Sequence, residues 1–439
     1  MNYLDKLKQQ HITILGLGVT GLGIVRFMVQ HGITPKVVDT RAVPPGADWL
    51  AHNVPECEAV FGPLAEAALT RTDLIVISPG IPLYDRYVAQ AIADGTEVIG
   101  DVELFARLND KPVVAVTGSN GKSTVVSLAT EVCKAAGLKV GLGGNIGTSV
   151  LDLLDQELDL IILELSSFQL ETTQSLQCIS AMILNITEDH MDRYPDFDAY
   201  CAAKRRIHQQ TDLLVYNRDD EQTYQKHKNV VSVGLSNADY CIETSSGQEF
   251  FSVLGEAFLP ANCLSIPGKH NQFNALSVMA ILRPFDIDKQ AFEKGFGQFN
   301  GLAHRCQLVA EISGIRYFND SKATNVGATV TALESLSDEC EKIILILGGD
   351  AKGADTAPLN APLRMHCRAV LCFGKDADLF TPLHDNSMKV ATLQEAVSEA
   401  SKQAKAGDIV LLAPACASID MYPNYMVRGE EFSKLVGEL

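Results

Sequence analysis

The chain has 439 residues, 46% hydrophobic and 21% charged, with 36 Lys and Arg against 54 Asp and Glu, a formal charge of −18. At roughly 150 residues per domain this length predicts three domains with several cores, and the ordinary globular composition excludes extensive disorder. So acidic a surface excludes long-range attraction to nucleic-acid backbones or anionic membranes, and anionic ligands must be held by locally concentrated donors.

The first residues, MNYLDKLKQQHITILG, run from polar side chains straight into a strand-like segment and lack the pattern of a signal peptide. Short β-branched runs then alternate with helix-length amphipathic segments, which predicts parallel sheets with crossover helices. The first series is HITILG (11–16), PKVVDT (35–40) and DLIVISPG (73–80). The second is PVVAVTG (112–118), LDLIILELSS (158–167) and SAMILNIT (180–187), followed by a less regular stretch, 229–265, that reads as a small antiparallel insertion. The third is IRYFND (315–320), KIILILGGD (342–350), RAVLCFG (368–374) and DIVLLAPA (408–415). Domain limits of about 1–100, 101–301 and 302–439 follow from these series. Apolar runs such as KIILILGG fall far short of the ~18 residues that span a bilayer. Eleven cysteines between Cys57 and Cys416, with no CxxC pair, argue for a reducing compartment and against a disulfide framework or zinc site. A soluble cytoplasmic protein is expected, without nucleic-acid partners or membrane insertion.

Each series carries polar loops at the ends of its strands, where α/β ligand clefts lie. Gly16-Leu17-Gly18-Val19-Thr20-Gly21 follows a strand and opens a helix, and Asp39 closes the next strand. Glycines there let backbone N–H groups approach a diphosphate at a helix N-terminus, although the same turn also serves purely structural ends. Read alone, GLGVTG would also suit a nicotinamide-dependent oxidoreductase. Thr40, Arg41 and the turn at Gly80 add polar or open positions on the same edge.

The strongest chemical signal is VTGSNGKST, residues 116–124. In such a loop the N–H groups of Gly118, Ser119, Asn120 and Gly121 cradle a polyphosphate, Lys122 reaches the outer phosphates and Ser123 offers a hydroxyl to Mg²⁺, with Thr124 following. The first glycine of the usual pattern is replaced by Val116. Glu164 ends a strand in the same series and suits a Mg²⁺ site with few protein ligands; His190 lies just beyond another strand. Lys204 falls four residues after Tyr200, three after Cys201 and three before Ile207, which puts it on the apolar stripe of its helix while Arg205 and Arg206 point elsewhere. A lysine so placed either makes its amine available for covalent chemistry or runs its stem along the surface to water.

With these residues on the page, the chain resembles the Mur ligase family over nearly its whole length. The resemblance rests on GLGVTG, DTR, SPGI, GDVELF, TGSNGKST, GGNIG, LELSSFQLETT, NITEDHMDRY, GKHN, HRC, NDSKATN, LGGD and PACAS, in that order. It implies three α/β domains: Rossmann-like, P-loop ATPase and Rossmann-like. It implies an ATP-dependent ligase that adds D-glutamate to UDP-N-acetylmuramoyl-L-alanine through an acyl phosphate, acting as a monomer. By the same resemblance Val19, Thr20, Asp39, Thr40, Arg41 and Gly80 would hold the uridine diphosphate, and Asn145 and Ser166 the muramoyl-alanine side. Lys122 would hold the γ-phosphate, and Asn274, His304, Arg305 and Asp320 would contact ATP. Ser123 and Glu164 would bind one Mg²⁺, with Mn²⁺ as an alternative, and His190 and a carbamylated Lys204 the second. Thr324, Lys352, Ser418 and Tyr425 would meet D-glutamate; Tyr425 departs from the phenylalanine expected there. Relatives that add other amino acids, or glutamate to folates, remain within-class alternatives, as does a silent homologue.

Overall fold

The computed structural model describes residues 3–65, 69–337 and 339–439. Three separate sheets stand where three strand series were expected. The first is fully parallel, in the order β3-β2-β1-β4-β5, with β1 Ile12–Leu15, β2 Lys36–Asp39, β3 Ala59–Phe61, β4 Leu74–Ile77 and β5 Glu97–Ile99. The order reverses between β1 and β4, and the loops GLGVTG and SPGI leave those two strands at their carboxyl ends, the place where such sheets hold ligands.

The central sheet has nine strands in the order β14-β13-β12-β11-β10-β9-β6-β8-β7. They are β6 Val113–Thr117, β7 Val140–Gly144, β8 Leu160–Glu164, β9 Cys178–Ile183, β10 Thr211–Asn217, β11 Val230–Val233, β12 Tyr240–Ser245, β13 Gln248–Val253 and β14 Glu256–Pro260. The irregular stretch after residue 229 is not a separate insertion. Its first strand pairs parallel with β10, and only β12, β13 and β14 form an antiparallel meander that extends the same sheet. Polar alternation in β12–β14 reads locally, whereas the parallel pairing of β11 depends on β10, which is distant in the pattern.

The third sheet runs β15-β16-β20-β17-β18-β19, parallel except for the edge strand β15. Its members are β15 Gln307–Ile312, β16 Ile315–Asn319, β17 Ile343–Gly348, β18 Cys367–Phe373, β19 Ser387–Lys389 and β20 Ile409–Leu412. Every residue of β17 is buried, as expected where helices cover both faces. Each fully buried aliphatic side chain of such a strand contributes about 1.5–3 kcal/mol.

By contacts the chain forms two compact units. One gathers the residues up to Asn185 with Asp198–Ala261 and Ala275–Phe296, and so contains the first two sheets. The other is Ile186–Phe197, Asn262–Asn274 and Gly297–Leu439, built on the third sheet. Among the described residues no helix is long and apolar enough to cross a membrane, and all eleven cysteines are free.

Candidate active site

At the carboxyl edge of the first sheet, Gly16 adopts φ +96° and packs against Ser78, whose hydroxyl donates to the Gly16 carbonyl at 3.1 Å. A side chain on Gly21 would run into the same carbonyl, so helix Val19–Gln30 can start this close only with glycine there. Gly18 caps the helix without any side-chain hydrogen bond, and Val19 in its first turn is 90% exposed. Asp39 is buried and accepts from Leu17 N (2.6 Å), Arg41 N (2.8 Å), Arg41 Nε (2.9 Å) and Arg41 Nη2 (2.7 Å). Burial alone would raise its carboxyl, but the Arg41 guanidinium and the two backbone N–H groups hold it at about 2. Both of its oxygens are therefore engaged in shaping the loop, and Arg41 is the half-exposed member of the pair. Thr20 is part-exposed, Thr40 exposed, and a side chain on Gly80 would meet no atom within 4 Å, so the fold itself does not require glycine at that position.

At the edge of the central sheet, β6 leads into Gly118–Gly121 and helix Lys122–Ala135, which Gly121 opens at φ +83° with no side-chain cap. The loop is fastened from behind by Asn185, a residue that motif reading passed over. Its carbonyl accepts Ser119 N at 2.9 Å, its Oδ1 accepts Asn120 N at 2.8 Å, and its Nδ2 donates to Asn120 O at 3.2 Å. An Asn directly after a strand facing the loop was the available signal. The Lys122 side chain curls over the loop, its Nζ donating to Gly118 O (2.7 Å) and Ser119 O (2.9 Å). Thr124, part-exposed, continues the helix.

Lys204 converges on the same place. It lies on the buried face of helix Phe197–Arg205 with Tyr200, Cys201 and Ala203, is 2% exposed, and its Nζ donates to Gly118 O at 2.9 Å. The ammonium sits 4.6 Å from the centre of the Tyr200 ring, and the Tyr200 hydroxyl meets Ser119 Oγ at 3.0 Å. Arg205 and Arg206 turn away to Gln222 and to the carbonyls of Leu170 and Thr173. Two lysine side chains thus meet one carbonyl of the phosphate-type loop. Glu164, 1% exposed at the end of β8, accepts from Ser123 Oγ at 2.5 Å and Asn145 Nδ2 at 2.7 Å. Ser166 follows as the cap of helix Ser167–Glu171, closed by a capping box with Gln169.

In the second unit, His190 (φ +59°) and Lys352 (φ +54°) both occupy the left-handed region that side chains rarely adopt. Lys352 Nζ donates to Asp189 Oδ1 at 2.7 Å, and Asn325 Nδ2 donates to Asp189 Oδ2 at 3.3 Å. Burial opposes ionisation of Asp189, but Lys352, His190 and Asn325 hold it at about 2. Glu188 to Met191, Thr324, Asn325, Ala351, Lys352 and Ala354 together line one cavity. In the turn ahead of β15, His304 (φ +62°) receives a 3.2 Å contact from Asn319 Nδ2 and meets the Tyr425 ring edge-on at 6.3 Å. Burial lowers its imidazole and pushes the Asp320 carboxyl up to about 6. Arg305 precedes the edge strand β15, Ser418 is buried, and Lys322 Nζ lies 4.2 Å from the Tyr425 ring centre. Asn274 is buried and donates to Asn271 Oδ1 at 3.2 Å. Arg428, unmarked by any motif, is fully buried and donates to Ser321 Oγ and O and to Cys416 O, tying NDSKATN to PACAS.

Among the described residues no three His, Cys, Asp or Glu side chains gather around a metal position. The donors that do stand together, Ser123 and Glu164, fit Mg²⁺, which takes one or two protein oxygens and completes its shell with phosphate and water.

Three family models match successive stretches: the Mur ligase MurD-like N-terminal domain over residues 10–100, the Mur ligase middle domain over 116–282 and the Mur ligase glutamate ligase domain over 304–416. The chain is 55% identical over 441 aligned residues, covering 99% of both chains, to the UDP-N-acetylmuramoylalanine–D-glutamate ligase of Pseudoalteromonas translucida. It is 46% identical to the ligase of that name from Shewanella oneidensis, covering 97% of this chain and 98% of the other. Among solved structures, MurF from Acinetobacter baumannii superposes with a TM-score of 0.64 at 16% identity, over 98% of each chain. UDP-N-acetylmuramate–alanine ligase MurC from Thermotoga maritima gives 0.62 at 18%, over 98% of this chain and 99% of the other. At those identities the structures share the three-domain α/β fold.

Proposed function

Because the chain belongs to the Mur ligase family, we propose that it joins D-glutamate to UDP-N-acetylmuramoyl-L-alanine at the expense of ATP, a step of peptidoglycan precursor synthesis in the cytoplasm. The observation that carries this reading is the 55% identity along 99% of the chain. The oxidoreductase alternative loses its ground there, since the nucleotide-type turn of the first sheet accompanies a complete ligase pattern.

In this reading the first domain, about residues 1–100, holds the uridine diphosphate against the helix start at Val19 and Thr20, with Asp39 aiming Arg41 and with Thr40 and Gly80 nearby. The central domain, 101–301, holds ATP on the N–H groups of Gly118–Gly121, with Thr124 behind them and Asn274, His304, Arg305 and Asp320 as further contacts. The third, 302–439, brings D-glutamate, and the protein works as a monomer. The substrate carboxylate attacks the γ-phosphorus, the bond to ADP breaks, and an acyl phosphate forms. The glutamate amine then attacks the acyl carbon, loses a proton, and inorganic phosphate departs.

Lys122 swings from its loop carbonyls to the γ-phosphate and offsets the charge that develops there. Ser123 and Glu164 would hold one Mg²⁺, or Mn²⁺ in its place, and His190 and Lys204 a second. Bound there, the metals would draw charge off the phosphate oxygens. Lys204 fits the second role only as a carbamate: its neutral amine adds to CO₂, releases a proton, and the side chain changes from cation to anion. Its burial between the Tyr200 ring and Gly118 supports such a role. Asn145 and Ser166 face the muramoyl-alanine side.

Lys352 is the anchor for the distal carboxylate of D-glutamate; its Nζ already holds a carboxylate, that of Asp189. Thr324, Ser418 and Tyr425 take the rest of the molecule. L-Glutamate cannot satisfy two carboxylate anchors and aim its amine as well, and a misplacement of about 1 Å can cost ~10²-fold in rate. Phosphate release measured with UDP-N-acetylmuramoyl-L-alanine across a panel of D- and L-amino acids tests this reading. D-Glutamate should be strongly preferred, and Lys352→Ala should raise the D-glutamate KM while leaving the ATP KM nearly unchanged. Equal turnover with L-glutamate, or preference for a diamino acid, would refute the substrate and leave the ligase class standing.

A further inference from the structure

The loop after β17, Gly349-Asp350-Ala351-Lys352-Gly353, holds its lysine in a conformation that lysine seldom takes. Ala354 N donates to Ala351 O at 3.0 Å and closes a turn whose central residues, Lys352 (φ +54°) and Gly353 (φ +73°), are both left-handed. Turns of that hand take Asn, Asp or Gly at the first central position far more readily than lysine. Such a conformation persists only where the surroundings hold it.

Two carboxylates of the same loop cluster do so. Asp350 Oδ1 accepts Lys352 N at 2.9 Å, and Asp376 Oδ2 accepts Ala351 N at 2.8 Å. The other oxygen of Asp350 takes Lys375 Nζ at 3.0 Å. The Lys352 N–H and the Lys375 ammonium together hold the Asp350 carboxyl below the usual carboxylate range. The main chain of Asp350 is bound as well. Its N–H donates to Ala417 O at 3.0 Å, and Ala417 N donates to Asp350 O at 2.9 Å. Ala417 is the residue before Ser418. Asp350 therefore fixes the backbone of Lys352 with its side chain and the approach to Ser418 with its main chain.

We propose that Asp350 is a positioning residue that sets the distance between the Lys352 and Ser418 contacts, and with it the length of the amino acid the site accepts. The inference rests on the reading of both residues as D-glutamate contacts. A lysine stem is long and flexible, so its ammonium selects a substrate length only if the stem starts from a fixed point. The strained turn supplies that point. Closing the loop alone is served with less strain by Asn or Gly at this position, whereas the lysine kept there sends its Nζ to a carboxylate, that of Asp189, at 2.7 Å. Lys375 answers the charge of Asp350, so the carboxylate beside the turn is already paired when a dianionic substrate arrives.

The test sets geometry against charge in the full-length enzyme. Asp350→Asn keeps an acceptor oxygen for Lys352 N and gives up the charge, whereas Asp350→Glu keeps the charge and carries its oxygens one carbon too far. Phosphate release should show the D-glutamate KM about tenfold higher in Asp350→Glu, with kcat, the other two KM values and the melting temperature close to the parent's. In Asp350→Asn the D-glutamate KM should stay within about threefold of the parent's. Asp350→Glu should also lose about fivefold of the preference for D-glutamate over the shorter D-aspartate, a readout that loop stability alone does not move. An unchanged D-glutamate KM in Asp350→Glu, a rise as large or larger in Asp350→Asn, equal rises in all three KM values, or an unchanged preference would overturn the role of Asp350. If Lys352→Ala leaves the D-glutamate KM unaltered, the reading of Lys352 itself fails and takes the inference with it.

Discussion

The turn after β1 and the turn after β6 share one plan, a buried strand, a glycine-rich loop and a helix that starts without a side-chain cap. Each also keeps a buried carboxylate behind the loop, and the two carboxylates are used differently. Asp39 takes two backbone N–H groups and the Arg41 guanidinium, so its charge is consumed in holding the loop's shape. Glu164 takes a hydroxyl and an amide, both neutral, and in the reading proposed above it is the group that meets an incoming cation. The second loop alone has lysines bent over it, Lys122 and Lys204, both on Gly118 O. A diphosphate that is only held needs N–H groups and a fixed shape. A phosphate that is transferred needs mobile charge, because the transition state spreads charge over its oxygens.

The sharpest way to break this contrast is to remove the charge from the second loop. Lys122→Ala should lower turnover by about 10³-fold, the scale of losing one charged contact to a transition state. Calorimetry should find the affinity for the uridine substrate unaltered; substantial phosphate release from the folded variant would end the assignment. Lys204→Ala should come next, at about 10²-fold or more, with partial recovery when a small carboxylate such as acetate is added in place of the carbamate. Lys204→Arg keeps charge and bulk, and should show no recovery in the same assay.

Asp39→Asn probes the first loop and should act on binding rather than turnover. Hydrogen bonds to a charged group are worth about 1.5–3 kcal/mol, so the UDP-substrate KM should rise about tenfold at nearly constant kcat. The depressed carboxyl also predicts a pH effect. A folded value of about 2, below the ordinary range near 4, stabilises the fold above pH 4, and that stability is lost as pH falls from 4 towards 2. Melting temperatures at pH 7 and pH 3 should therefore converge in Asp39→Asn relative to the parent. The smallest effect belongs to Gly80→Ala. With open space around the new methyl, thermal melting should stay within about 1 °C, and only the UDP-substrate KM should rise, by a few-fold.

Legibility in the sequence followed burial. Long apolar strands such as β17 and β8 were visible because both faces are covered, and the composition of the run records it. The place of Lys204 was visible because helical spacing fixes which face a residue takes. Short edge strands were not. Ala59–Phe61 and Ser387–Lys389 are three residues each, largely exposed, and owe their conformation to the neighbouring strand. Pairings across long separations were equally hidden. Asp189 and Lys352 stand 163 residues apart, and nothing local marks either as the other's partner. Arg428, within YMVRGEEF, reads as a surface cation on a C-terminal helix, yet it is wholly buried because its partners are carbonyls and a hydroxyl of the loops that follow β16 and β20.

The second unit is assembled from three stretches of chain, Ile186–Phe197, Asn262–Asn274 and Gly297–Leu439. A gene fragment beginning after residue 301 would encode all six strands of its sheet. It would omit Asp189, the carboxylate seated on Lys352, and His270, whose Nδ1 meets Ser335 Oγ at 2.6 Å. Recombination between relatives therefore has no single breakpoint that moves this unit intact. A chimera that exchanges the last third alone joins residues from two lineages at both of those pairs, and compensating substitutions should accumulate in Ile186–Phe197 and Asn262–Asn274, far from the joint in the gene.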